Sequence, residues 1–359
     1  MTRAGGLTVG VVGGTGHTGG ELCRLLLGHP EVRTILPTAR TEAAFALVHP
    51  NLTGSGLAFL PVERLAERAG ELDVVFFCTP SGEAMRQARH YAGRGVCTID
   101  LGADFRFADP LVYQRVYGAE HADPGLLAQA RYGVTELNRD EIATARLIAN
   151  PGCYANTAIL ALAPLLRAGL ARPDVPIGIH AVNGTTGAGN TPKKAIMHAE
   201  VAGAMLSYSL EGHRHGPELE AFFTTFAGRP VEVDLDTAHG NFARGIHLRA
   251  DVHLTAAHTR DELLELYTEA YGGEHFVVVN TQPKLGALNE KQYEIYPNLN
   301  HVVGSNFCHL GLDTGRGGQV ARIVAVTDNL VKGAAGSAIQ NMNVALGIDE
   351  RTGLTAYAL

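Results

Sequence analysis

Residues 148–162 read IANPGCYANTAILAL, a cysteine set between a Pro-Gly pair and a long run of small and apolar residues. Pro151 and Gly152 make a turn and the residues from Ala155 look helical, which predicts Cys153 at or near a helix N-terminus. The partial positive charge of a first helical turn stabilises a thiolate, lowers the thiol pKa and raises the reactive fraction at neutral pH. Cys153 is therefore expected to be a nucleophile. Packing is the commoner use of a cysteine, and it suits the other four: Cys78 and Cys97 lie in apolar strand-like runs, Cys23 on a helix-like one and Cys308 near a strand. An odd number of cysteines without CxxC or metal-ligand spacing describes reduced thiols, not a disulfide framework.

A nucleophilic cysteine works with a base. The stretch SYSLEGHRHGPELEAFF brings His213, Arg214, His215 and Glu218 together just ahead of a helix. His213 is expected as the general acid/base, with Glu218 either orienting it or neutralising the helix start. No third ligand stands at a suitable spacing, so no metal is expected. A further loop, HAVNGTTGAGNTPKK (180–194), follows a strand and carries Gly184, Gly187 and Gly189. Its amides suit a nicotinamide, a phosphate or an oxyanion, although a plain turn would look the same. Lys193 and Lys194 beside it read as surface charges.

Near the start, VGVVGGTGHTGGEL fits G-x-x-G-x-x-G at Gly13, Gly16 and Gly19, after a strand and opening a helix. Glycine permits positive φ and lets backbone N–H groups approach a pyrophosphate, which the helix N-terminus favours. A dinucleotide is expected there. An NAD site usually ends its second strand with an acidic residue, whereas this one ends TILPTARTEA, with Thr38, Arg40 and Thr41. Arg40 suits a 2′-phosphate and hence NADP(H); Glu42 just past it is the competing reading, and a solvated loop charge is the other reading of Arg40.

These residues need elements to position them. At 359 residues the chain exceeds one hydrophobic core, so two domains are expected, with a boundary near Asn150. LTVGVVGG (7–14), VRTILPTAR (32–40), LDVVFFCTP (72–80) and VCTIDLGADFR (96–106) look like strands, separated by helical patterns at 19–30 and 81–95. That alternation predicts an α/β domain with a Rossmann-type doubly wound parallel sheet. Beyond it, a helical run at 155–170 precedes IGIHAVNG, GIHLRADVHL, HFVVVN and VARIVAVTDN, which alternate as half-buried strands do. They predict an α+β domain with a mixed, mostly antiparallel sheet, one face of which packs on helices or a second subunit. Residues 330–347 look helical. The net charge of -7 argues against a dominant nucleic-acid surface, and no apolar run reaches the roughly 18 residues that span a bilayer. MTRAGGLTVGVVGGTG enters the glycine motif without a signal-peptide cleavage pattern, so a cytoplasmic location is expected.

The segments GGTGHTGGEL, TPSGEA, DLGADFR, NPGCYANTA, NGTTGAG, GHRHGPE, GSNFC and DNLVKGAAGSAIQNMN occur in this order from residue 13 to residue 343. Together they resemble the N-acetyl-γ-glutamyl-phosphate reductases, within the aspartate-semialdehyde dehydrogenase-like group. The resemblance implies an NADP domain from residues 1–150 with 330–359, and a catalytic and oligomerisation domain over 151–329. It implies NADP(H) on Gly13, Thr15, Gly16, His17, Thr18 and Gly19, on Thr38, Arg40 and Thr41, on Pro80 and Ser81, and on Gly187, Gly189 and Asn329. Lys332 and Gly333 would face the cofactor domain, unless Lys332 is a surface residue. Arg106, Asn150 and Arg214 are expected to bind substrate; an ion pair with Asp104 is the other reading of Arg106. The segments 236–246 and 280–302 depart from the family pattern and are expected to line the acyl pocket. The implied reaction is reduction of a small-molecule acyl phosphate by way of a Cys153 thioester, in a homo-oligomer, dimer or tetramer. A reductase of carrier-bound aminoadipate phosphate and an NADP-binding redox sensor are the alternatives.

Overall fold

A computed structural model describes residues 5–286 and 291–359. Residues 1–4, at the head of MTRAGGLTVGVVGGTG, and 287–290, inside the 280–302 segment, lie outside the described residues. Contacts divide the chain into two units, Met1–Gly152 with Ala334–Thr355 and Cys153–Gly333 with Ala356–Leu359. The division passes between Gly152 and Cys153. Residues 330–333 and 356–359, expected with the first unit, group with the second.

In the first unit the described strands are β1 (Leu7–Val12), β2 (Val32–Ala39), β3 (Leu60–Pro61), β4 (Val74–Phe77), β5 (Cys97–Asp100), β6 (Arg131–Tyr132) and β7 (Leu147–Ala149). Their order is β3-β2-β1-β4-β5-β7-β6 and every pairing is parallel. The all-apolar VVFF of β4 is buried on both faces, as a sheet covered by helices on both sides requires. The order reverses direction between β1 and β4, and in open α/β sheets the crevice at such a switch point takes the ligand. The helix His17–Leu27 follows β1, buries Leu22, Cys23, Leu25 and Leu26, and ends at Gly28, whose N–H bonds the Leu25 carbonyl. The C-terminal helix Gly336–Ala345 belongs to this unit and packs on the helix Thr135–Ala143.

In the second unit follow β8 (Ile177–Asn183), β9 (Leu206–Tyr208), β10 (Val233–His239), β11 (Ile246–His253), β12 (Val277–Val279), β13 (Cys308–Gly315) and β14 (Val320–Thr327). The order is β12-β13-β14-β11-β8-β10-β9, parallel only at β12–β13 and β8–β10. Strand β11 shows why one face is covered. Ile246, Leu248, Ala250 and Val252 are buried, while His247, Arg249 and Asp251 alternate onto the other face. Against the covered face lies the helix Cys153–Arg167, buried from Tyr154 to Leu166. Pro164 inside it has no N–H to give the Leu160 carbonyl; the Tyr271 hydroxyl supplies that bond at 2.6 Å, and Tyr267 bonds the neighbouring Ala161 carbonyl at 2.5 Å.

The described part of the 280–302 segment, expected at the acyl pocket, lies mainly on the other face of this sheet. Pro297 and Ile295 sit over Gly311 of β13, where a Cβ would be 2.6 Å from Pro297, and the Tyr296 hydroxyl donates to Asp313. Only Leu299 reaches the loop after β10, against Gly245.

Candidate active site

The register of the second sheet brings the C-terminal ends of β8, β10 and β14 and the N-terminal end of β11 to one edge. The N-terminus of the helix Cys153–Arg167 is tied to that edge. Thr157 meets Thr327 of β14 hydroxyl to hydroxyl at 2.7 Å, and Asn156 donates to the Lys332 carbonyl at 2.7 Å. Cys153, the first residue of the helix, is half-buried. Burial pushes the Cys23 and Cys97 thiols up to about 12, and Cys78 is raised by the same cause.

Beside the Cys153 sulfur stands Asn183, the last residue of β8. It is 2% exposed, its Nδ2 points at Sγ from 3.8 Å, and its Oδ1 is buried without a hydrogen-bond partner. The amide is confined by Gly187: a Cβ there would lie 2.1 Å from Nδ2. Gly333 does the same for the nucleophile, since a Cβ at 333 would fall 2.9 Å from that of Cys153. Glycine at 187 and 333 thus makes room for two side chains, a use the motif pattern did not reveal. The sequence does not mark Asn183, because an asparagine ahead of glycines looks like turn chemistry.

Asn329, expected at the cofactor, is hydrogen-bonded within this unit. The Asn329 side chain accepts from Gly245 N at 2.8 Å and donates to Thr186 Oγ1 at 3.0 Å, joining the loop after β14 to those after β8 and β10. Lys332 is buried and not a surface residue; it is 1% exposed, with Nζ 5.5 Å from the Phe276 ring centroid. Gly189 is exposed, at φ 84°.

The GHRHGPE cluster opens the helix His215–Ala227. Ring contacts join it to the nucleophile's neighbour: Tyr154 lies edge-on to His213 at 5.4 Å and to His215 at 5.9 Å. The Tyr154 and Tyr208 hydroxyls bond each other at 2.9 Å, and Tyr208 stacks on His239 at 4.5 Å. Glu218 was expected to orient His213. It faces His215 instead, Oε2 to Nε2 at 3.9 Å, because a residue three positions on in a helix lies above the first. Burial, then the charges of Arg214 and His239, hold His213 down at about 4. Arg214 is exposed and has no ion-pair partner among the described residues. Those residues also contain no group of three or more side chains that could hold a metal ion.

In the first unit the glycine-rich loop fits a dinucleotide phosphate. Gly13 has φ 81°, Gly16 caps the helix His17–Leu27 with no side chain closing its end, and the first turn carries no acidic residue. A Cβ at Gly16 would meet only the Gly13 carbonyl, at 3.8 Å, so this position is open; at Gly19 it would meet that carbonyl at 2.6 Å, so Gly19 serves helix-to-loop packing. Thr15, Thr18 and the exposed His17 flank Gly16. Thr38 lies beneath the loop, 2% exposed, its hydroxyl accepting from Gly13 N and its carbonyl from Gly14 N. It supports the glycine-rich loop from below. Arg40 and Thr41 are exposed past the end of β2, and Arg40 pairs with Glu83 at 3.1 Å. Pro80 and Ser81 are exposed after β4, in a turn anchored by Asp104, which accepts from Gly82 N and Met85 N.

That anchoring settles DLGADFR. Asp104 serves the TPSGEA turn, and Arg106 donates to the carbonyls of Asn150 and Leu101 at 3.0 Å each, fixing the chain ahead of Cys153. Asn150, expected at the substrate, is 1% exposed and fully engaged. Its amide donates to the Ala334 carbonyl and accepts from Ser337 and Asn341.

A family model described as the semialdehyde dehydrogenase NAD binding domain matches residues 8–145, and the semialdehyde dehydrogenase dimerisation domain matches 153–329. An N-acetyl-γ-glutamyl-phosphate reductase of Thiobacillus denitrificans is 42% identical over 97% of this chain and 98% of its own length. The chain belongs to the N-acetyl-γ-glutamyl-phosphate reductase family. Among solved structures, aspartate semialdehyde dehydrogenase II of Vibrio cholerae shares the fold with TM-score 0.70 at 16% identity, covering 95% of this chain and 99% of that one. The aspartate semialdehyde dehydrogenase of Candida albicans, solved with NADP, gives TM-score 0.63 at 15% identity, covering 94% and 98%. Family membership accounts for the two-sheet architecture.

Proposed function

We propose that this chain reduces N-acetyl-γ-glutamyl phosphate to N-acetylglutamate semialdehyde with NADPH, in keeping with its relatives, which are N-acetyl-γ-glutamyl-phosphate reductases. The observation that carries the reading is Cys153, at the start of a buried helix with an amide N–H directed at its sulfur. The helix N-terminus and the Asn183 amide both favour thiolate over thiol. Cys153 attacks the acyl carbon, the bond from carbon to the phosphate oxygen breaks, and phosphate leaves with the bonding pair. The resulting thioester is electrophilic enough to be reduced and keeps a sulfur leaving group. NADP(H) would be held by Gly13, Thr15, Gly16 and Thr18 with Arg40 on the 2′-phosphate, and when bound it supplies the hydride. His213 hydrogen-bonds the substrate's reacting oxygen, and Arg214 attracts its anionic groups. Cys153 then leaves the tetrahedral carbon as thiolate, and aldehyde is released.

The dimerisation-domain match and the partly uncovered face of the second sheet support assembly as a dimer or tetramer through that face. No helix among the described residues is long and apolar enough to cross a membrane, consistent with work in the cytoplasm.

The test is the reverse reaction, NADP reduction by N-acetylglutamate semialdehyde and phosphate. Phosphate-dependent NADPH formation that disappears in Cys153→Ser is the expected result. Activity that persists in the variant would overturn the nucleophile, and inactivity of the native enzyme would overturn the substrate.

A further inference from the structure

We propose that Arg244, held in place by the buried carboxylate of Asp328, binds an anionic oxygen group of the substrate, its carboxylate or its phosphate, beside Cys153. This deepens the reductase reading and rests on it for the identity of the two anions. Arg244 lies in the loop between β10 and β11, at the sheet edge that carries Asn183. Main chain packs on main chain there: Gly184 N donates to the Gly245 carbonyl at 2.9 Å, and a Cβ at Gly184 would fall 2.6 Å from Arg244 N. Gly184 follows Asn183, whose amide points at the Cys153 sulfur from 3.8 Å. On the side-chain end of Arg244, the Asp328 carbonyl accepts from Gly333 N at 2.9 Å, and Gly333 is the residue packed on the Cys153 Cβ. The two segments that Arg244 joins thus both border the nucleophile.

Asp328 fixes the guanidinium. Its side chain is 0% exposed; Oδ1 accepts from Leu330 N at 2.8 Å and Val331 N at 3.2 Å, while Oδ2 accepts from Gly304 N at 2.7 Å and Arg244 Nε at 3.0 Å and lies 3.0 Å from Nη2. A buried carboxylate persists only when it is paired and hydrogen-bonded. Three backbone N–H groups share the charge of this one, so it steers Arg244 while cancelling only part of its field. The Arg244 side chain stays 23% exposed. With the Nε side of the planar fork turned to Asp328, the end carrying Nη1 is aimed away from it, and that end matches the paired oxygens of a carboxylate or a phosphate. A guanidinium already fixed by a neighbour loses little freedom on binding. That separates Arg244 from the exposed Arg214 and from Arg106, which serves two main-chain carbonyls.

The first test needs no substrate. Iodoacetate and iodoacetamide alkylate the same thiolate and differ by one negative charge, so their rate ratio at Cys153, with Cys153→Ser as background, reads a cation beside the sulfur. Arg244→Gln should lower the ratio about threefold or more at low salt, and Arg244→Lys, which keeps the charge, should restore it. Asp328→Asn keeps an acceptor for Leu330 N and Val331 N but loses the charge that orients Arg244, so its ratio should fall as well.

The second test is the reverse reaction, in which the two anions arrive on separate molecules, the semialdehyde and phosphate. Arg244→Gln should raise the KM of one of them by roughly tenfold or more, the size of a lost hydrogen bond to a charged group, and the larger rise names the anion. Arg244→Lys should recover only part of that loss, because it lacks the fork. A native ratio in Arg244→Gln, or one equally low in Arg244→Lys, would overturn the placement beside the sulfur, and unchanged KM values for both molecules would overturn the substrate contact. A native ratio in Asp328→Asn would overturn its positioning role. Native enzyme that is inactive in the reverse reaction, yet shows a ratio dependent on Arg244, would overturn the reductase reading and leave the placement standing.

Discussion

In the first unit, a side chain added at Gly13 or Gly19 would meet backbone: the Cys78 carbonyl at 2.5 Å and the Gly13 carbonyl at 2.6 Å. In the second, one added at Gly187 or Gly333 would meet the side chains of Asn183 and Cys153. The two glycine-rich regions resemble each other as sequence, yet one lets main chain pack on main chain around a phosphate site and the other keeps a nucleophile and its amide in place. A defect in the first should weaken cofactor binding. A defect in the second should slow the chemistry.

The sharpest test is Gly187→Ala, which must displace the Asn183 amide. A loss of about 100-fold in kcat is expected, with the NADPH KM little changed, because misplacing a catalytic group by an ångström costs about that much. A rise in KM instead would return Gly187 to the cofactor. Arg40→Ala should lower kcat/KM for NADPH by roughly tenfold while sparing NADH, the size of a lost hydrogen bond to a charged group; equal losses with both cofactors would remove the 2′-phosphate role. Gly20→Ala is a milder probe of the first loop. Its methyl would fall 2.4 Å from the His49 ring, which bonds the Gly14 carbonyl at 2.7 Å, so a several-fold rise in NADPH KM at constant kcat is expected. A fall in kcat of the Gly187→Ala kind would erase the contrast.

The smallest effect separates the units by pH. Burial, then the Asp104 charge, pushes Asp100 up to about 7, so the folded chain keeps a proton that the unfolded chain loses near pH 4. Its contribution to stability therefore falls as pH rises from about 4 to 7. His213 and His309, held down at about 4, have the opposite sign: unfolded rings bind protons below about 6.5 and folded ones do not, so stability falls as pH drops from 6.5 toward 4. Between pH 4 and 7 the two contributions oppose each other, so thermal unfolding should show less loss of stability with rising pH in Asp100→Asn and less loss with falling pH in His213→Gln. Unchanged profiles would mean that these groups titrate alike folded and unfolded.

Where periodicity was long, the fold was legible. The runs behind β1, β2, β4, β8, β11 and β14 gave both sheets, and Pro-Gly before a small-residue run placed Cys153 within two residues of a helix start. What escaped were β7 and β9, three residues each, β10, whose VDLDTAH alternates charge with apolar residues, and β13, whose two glycines blur its alternation. The site was legible in its reactive atoms and illegible in its supports. Polar residues near a nucleophile look alike in sequence whether they face a ligand or tie loops together. Asn150, Asn329 and Thr38 are tied by hydrogen bonds to residues far along the chain, which no local pattern shows.

The bond between Asn150 and Asn341 has a consequence for biosynthesis. The turn that precedes the nucleophile is closed by a residue 191 positions later, in a helix that also bonds the Gly133 carbonyl and Thr135. At ribosomal speeds of about 5 to 20 residues per second, that helix is made roughly 10 to 40 s after Asn150. Until then a nascent chain holds its reactive cysteine beside an unfinished turn, and a transcript cut short before the codon for Asn341 yields a chain that cannot close it.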